Sequence, residues 1–160
     1  MSIDAKQQQT TVNVQEKANL IWAIADKLVG VYKPHEYGNV ILPMCVIKRF
    51  EDTLAPTREK VLETNRELDE KKIEMKRGFL ERAAGQKFYN LSRFTFETLL
   101  ADADNIKDNF ESYLNHFSEN VIDIIHRMEF QKEIDKMADN GLLYLVIKEF
   151  CTTKAYLGAD

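Results

Sequence analysis

Pro43 stands in the middle of the longest apolar run of the chain, Val40 to Ile47, and limits what that run can become. A run of this length would suit a buried strand, but a proline there removes a ladder donor and disfavours a central strand. A helix is penalised too, because Pro43 loses the bond to the Asn39 carbonyl and bends the axis. The reading that fits is a kinked helix opened by Pro34 and carrying Tyr37, Val40, Ile41, Met44, Ile47 and Phe50. It is apolar nearly all round, which makes it central to a core.

Helical periodicity dominates elsewhere. Asn13 followed by Glu16 is an N-cap signature, Leu20, Ile21, Ile24 and Leu28 recur on one face, and Gly30 supplies a stop. Trp22 lies one residue beyond that stripe and is expected to pack. From Arg58 to Arg82 fifteen of twenty-five residues are charged, with helix-supporting pairs such as Glu67 to Lys71 and a sparse apolar line through Val61, Leu68, Met75 and Phe79. This predicts one long helix with a narrow buried seam, ended by Gly85. Thr95 can cap a helix holding Phe96, Leu99 and Leu100, and Asn105 can cap another holding Ile106, Phe110, Tyr113, Leu114 and Phe117. Further helices are marked by Val121, Ile122, Ile125 and Met128, by Ile134 and Met137, and, after Asn140-Gly141, by Leu142, Leu143, Val146, Ile147 and Phe150. No run shows sustained period-two alternation, so the expected fold is all-α, a compact multi-helix bundle with one long charged helix.

With 160 residues, 44% of them hydrophobic, the chain fits one domain with a real core. The expected boundaries are a polar, aperiodic tail over 1–12, a helical domain over 13–155 and a C-terminal end over 156–160. The tail has neither the apolar stretch of a signal peptide nor Arg-rich amphipathy, and the apolar run at Pro43 is far short of the roughly 20 residues that cross a bilayer. The expectation is a soluble, cytoplasmic protein without a membrane. Cys45 and Cys151 read as unpaired thiols in a reducing compartment.

Net charge is −4, but its distribution is uneven: residues 71–93 carry +5, while 94–160 carry −7. Lys71, Lys72, Lys76, Arg77, Arg82, Lys87 and Arg93 make up the basic segment. One reading is a solvated helix face. The other is a strip tracking DNA phosphates, with Tyr89, Asn90 and Ser92 adding hydrogen bonds to backbone oxygens. Nothing predicts a base-reading recognition helix. Phe79, Phe88, Phe94 and Phe96 could stack on an extruded base, but the favoured reading makes them anchors between the long helix and the C-terminal helices. His35, His116 and His126 lack metal-ligand spacing, and Asp102, Asp104 and Asp108 lack the glycine turn of a calcium loop, so no metal site is expected.

The run Phe88-Tyr89-Asn90-Leu91-Ser92-Arg93-Phe94-Thr95-Phe96-Glu97, taken with Tyr32 to Glu51 and Asn105 to Phe150, resembles the N-terminal helical domain of the modification subunit of type I restriction-modification systems. The likeness spans roughly residues 13–155. It implies a parent protein that is a site-specific, adenine-specific DNA methyltransferase, moving a methyl group from S-adenosylmethionine to the N6 of adenine. The partners it implies are DNA, a specificity subunit and a motor-nuclease subunit, and the helical domain is implied to help enclose DNA and to contact neighbouring subunits. The family's cofactor turn and its Pro-Pro-aromatic motif have no counterpart here. Gly30, Gly38, Gly78, Gly85, Gly141 and Gly158 form no Gly-x-Gly, and Pro34, Pro43 and Pro56 are never adjacent. No catalytic, cofactor-binding or metal residue can be carried over, so this chain alone is expected neither to methylate DNA nor to bind S-adenosylmethionine. The competing expectation is a helical protein-protein adaptor without nucleic-acid contact, its acidic C-terminal half meeting a basic partner.

Overall fold

The element on which most others rest is the most C-terminal helix, whose Leu143, Val146, Ile147 and Phe150 fall at i, i+3, i+4 and i+7 and are all buried. In the computed structural model, which describes residues 3–152, the helices in chain order are α1 (Ile3–Leu28), α2 (Gly38–Leu54), α3 (Arg58–Glu70), α4 (Arg77–Ala84), α5 (Phe96–Leu99), α6 (Ile106–Asn115), α7 (Glu119–Arg127), α8 (Gln131–Asp139) and α9 (Leu143–Thr152). Short 3-10 turns precede α2, α3 and α6. The described residues contain two isolated bridges, Val29–Tyr32 and Asn90–Phe117, and no strand. The fold is all-α. α9 packs against α1, α5, α6 and α8, and α1 packs against α2, so one core runs through the whole set.

α2 continues through Pro43 without a break, and Val40, Met44 and Ile47 on it are fully buried. Each such side chain contributes roughly 1.5–3 kcal/mol by leaving water. The helix is not apolar all round, since Leu42 is 66% exposed and Arg49 faces solvent. The packing hub is α9, with α2 one of the helices joined to the core.

Two expected boundaries are corrected. α1 begins at Ile3, ten residues before the proposed cap, and Asn13 lies inside it. No glycine or proline interrupts 3–28, and a helix nucleated by the packed turns at Leu20, Ile24 and Leu28 propagates outward at low cost. The long charged helix is instead a hairpin, α3 and α4 joined through residues 71–76. Lys72 adopts φ 57°, the Ile73 N–H reaches the Leu68 carbonyl (2.9 Å), and the Lys72 N–H reaches that of Asp69 (3.0 Å). This is a Schellman stop with lysine where glycine is usual, which is why no glycine announces it. Consequently Val61 and Leu68 are buried as expected, while Met75 and Phe79 are 88% and 49% exposed and Leu80 takes the core position. Lys72→Gly removes the left-handed penalty on a Cβ-bearing residue and is expected to raise stability by about 1 kcal/mol. An unchanged or lower urea midpoint would contradict this account of the turn.

The other stops and starts follow local chemistry. Gly85 and Gly141 close α4 and α8 at positive φ, with Gln86 N–H to Glu81 and Leu142 N–H to Met137. Thr95 caps α5 in a reciprocal pair with Thr98 (3.2 and 2.8 Å). Asn105 occupies the position before α6 but makes no side-chain cap; its amide binds the Asp102 carboxylate instead (3.0 Å).

A largely buried charge cluster ties α2 to α5 and α6. The Lys48 ammonium donates to Asp52 (2.5 Å) and lies 3.5 Å from Glu51, and the Phe96 N–H donates to Glu51 (2.9 Å). Burial pushes the Glu51 carboxyl above the ordinary carboxylate range, against the opposing pull of Lys48. Burial also lowers Lys48, but its bonds to Asp52 and Glu51 outweigh this and hold the ammonium above its usual pKa. The Tyr113 hydroxyl is buried beside the Glu51 carboxylate; burial and that charge keep it protonated far above the usual tyrosine range. Cys45 and Cys151 are half-buried free thiols, each pushed up to about 11 by burial.

Candidate nucleic-acid interface

The polar-aromatic run leaves α4 at Gly85 and crosses the turn between α6 and α7. The Leu91 N–H donates to the His116 carbonyl (2.9 Å), the Ser118 N–H to the Tyr89 carbonyl (2.9 Å), and the Asn120 amide to the Lys87 carbonyl (2.8 Å). From the other side, Thr57 donates to the Ala84 carbonyl (2.9 Å) and Arg58 to the Arg93 carbonyl (2.5 Å). These bonds satisfy an irregular backbone that would otherwise be costly to bury. They hold the run rigidly on the bundle.

Within it, side chains divide between inside and outside. Asn90 folds inward: its carbonyl oxygen accepts from the Ser92 N–H (2.6 Å) and its amide donates to the Tyr113 carbonyl (3.2 Å). Ser92 is buried, and its hydroxyl accepts from the Phe94 N–H (3.0 Å). Both polar groups therefore serve the loop itself. Phe88 packs edge-on against Phe50 (5.0 Å between centroids), Phe94 is half-buried, and Phe96 meets Phe110, Tyr113 and Phe150. These three pack on or in the core, but their ring contacts reach α2, α6 and α9 and do not lock the long charged segment onto the C-terminal helices as expected; Phe79 is half exposed on α4.

The basic residues also separate. Lys76 pairs with Asp69 and donates to Asn65, and Arg77 pairs with Glu81 (2.8 Å), whose carboxylate raises the guanidinium further. Lys71, Lys72, Arg82, Lys87 and Arg93 are exposed and make no ion pair among the described residues. Tyr89 is half-buried, its backbone held by Ser118. Of the unpaired cations, Arg82 borders an open concavity lined by Met75, Arg77, Gly78 and Phe79, while Arg93 lines a separate groove along α3 that also carries Glu59, Glu63 and Asp69.

A second surface escaped the sequence reading. Trp22 is 71% exposed, not packed, on the side of α1 away from Leu20, Ile24 and Leu28, with the exposed Val14 and Ile21 flanking that buried stripe and the exposed Val29 just past the helix end. Of the expected stripe, Leu20, Ile24 and Leu28 are buried and Ile21 is left 45% exposed at its edge.

The described residues show no His, Cys, Asp and Glu cluster able to hold a metal, and no helix among them is long and apolar enough to cross a membrane. The described residues contain no strand, so they offer no strand-to-glycine turn of the kind the family's S-adenosylmethionine site is expected to use, and they do not fit that group.

The family model described as the HsdM N-terminal domain matches residues 17–150. The chain belongs to that family, the N-terminal domain of type I restriction-modification modification subunits. Comparison with curated proteins and with solved structures finds no match.

Proposed function

We propose that this chain is the non-catalytic N-terminal module of a cytoplasmic N6-adenine DNA methyltransferase subunit, helping to enclose DNA and to assemble with the specificity subunit and the motor-nuclease subunit. S-adenosylmethionine and the methyl transfer belong, in this reading, to the parent protein. The observation that carries it is the family match over most of the chain. Uncommitted cations at Lys71, Lys72, Arg82, Lys87 and Arg93 support DNA contact, because each can displace a counterion from a phosphate. Among the other residues of the basic strip, Lys76 and Arg77 are offset by their Asp69 and Glu81 partners, and Tyr89, Asn90 and Ser92 support the loop that carries Lys87 and Arg93. The exposed Val14, Ile21 and Trp22 on α1 support assembly, since large exposed apolar side chains recur at interaction sites.

The test is the salt dependence of DNA binding by the assembled enzyme carrying Arg82→Gln, Lys87→Gln and Arg93→Gln. Binding to all sequences should weaken alike, and the slope of log K against log salt should flatten by about 0.9 per lost phosphate contact. An intact complex with an unchanged slope would favour the solvated face and the adaptor reading. A complex that no longer forms would assign the strip to a subunit interface.

A further inference from the structure

The α3–α4 turn carries apolar groups that phosphate tracking does not need. Met75 is 88% exposed and Phe79 49% exposed. Met75 precedes the cap of α4, where an apolar residue commonly staples onto the fourth helical residue. That residue, Leu80, is buried at 1% exposure, and Met75 is too open to be its staple. Met75 and Phe79 share the concavity with Arg77 and Arg82, and a Cβ added at Gly78 between them would meet nothing within 4 Å. Lys71 and Lys72 stand at the tip of the same turn.

A thioether and a phenyl ring beside the unpaired Arg82 and the Glu81-paired Arg77, with Lys71 and Lys72 on the same turn, suit a partner with anionic edges and an apolar, stacked interior. Duplex DNA has that construction. Met and Phe are among the side chains that enter the minor groove and part a base step while Lys and Arg hold the flanking phosphates. The charge pattern favours this occupant, because the cations sit in a +5 segment of a −4 chain. We propose that Met75 and Phe79 form a wedge that enters a DNA groove and partly unstacks one base step. The proposal rests on the DNA-enclosing role above and adds to it a deformation of the duplex.

The experiment titrates the chain into duplexes carrying 2-aminopurine at a flexible pyrimidine-purine step, at low salt and above the roughly 10⁻⁴ to 10⁻⁶ M of nonspecific contact. Fluorescence of the probe should rise at saturation as its stacking is lost. Met75→Ser with Phe79→Ser should keep the salt slope and lose the rise; circular dichroism should be unchanged, because both side chains are exposed. Lys71→Gln, Lys72→Gln and Arg82→Gln together should lower the slope and keep the rise once saturated. Binding without a rise, or a rise that survives in the serine variant, overturns the wedge while leaving phosphate contact standing. Failure of the wild-type chain to bind duplex overturns it as well, and the salt slope of the assembled enzyme then judges the DNA-enclosing role separately. Equally, the wedge falls if the serine pair instead abolishes binding to anionic vesicles or a concentration-dependent self-association.

Discussion

Met44→Ala and Ile47→Ala should each lower stability by about 2 to 5 kcal/mol, because both side chains are fully buried on α2 and their truncation leaves a cavity in addition to the lost transfer energy. Lys72→Ala keeps a Cβ at an exposed turn position and should change stability by less than roughly 0.5 kcal/mol. Urea unfolding distinguishes them: two strongly lowered midpoints and one near wild type, with similar m-values. Comparable midpoints for all three would mean that α2 does not line the core.

Lys48→Met should be of similar size, about 3 kcal/mol, for a different reason. It leaves the Glu51 carboxylate, at 13% side-chain exposure, without its neighbouring cation, and a buried charge stripped of its cation costs more than the pair contributed. The pH dependence carries the signature. Lys48 is raised in the fold, so its stabilisation is fully present below the unfolded lysine pKa and is lost as pH rises through the folded value. Glu51 is also raised, and for a carboxylate this means that the native state binds the proton more tightly than the unfolded chain. Stability gains from Glu51 as pH falls through its folded value. The deficit of Lys48→Met should therefore shrink at mildly acid pH, where Glu51 neutralises. An equal deficit at neutral and acid pH would show that lost packing, not charge, is responsible.

The apolar periodicity of α6, α8 and α9 was readable because each presents its buried residues at helical spacing between strong local stops, as at Gly141. Gly30 and Gly85 were readable for the same reason. The break at Lys72 was not, because a left-handed lysine carries no distinctive residue type and the charged pattern runs on through it. The candidate interface was legible as charge and less so as chemistry. The +5 segment is plain in the residues, yet which cations are committed depends on Asp69 and Glu81 approaching Lys76 and Arg77. Asn90 and Ser92 look like free hydrogen-bonding groups in the run, and become loop supports because Ser92 bonds to Asn90 and Phe94 within the loop and the Tyr113 carbonyl is brought beside Asn90 from more than twenty residues away.

The sequence by itself determined the all-α class, most of the core and the absence of a glycine turn and Pro-Pro motif, since period, composition and motif are properties of neighbouring residues. Tertiary structure alone decided which apolar side chains remain outside. Trp22, Met75 and Phe79 satisfy the same local patterns as buried residues, and their exposure follows from where α1 and the α3–α4 hairpin are placed against the bundle. Burial is a relation between distant segments, so a residue's own helix can state its face but not what covers it.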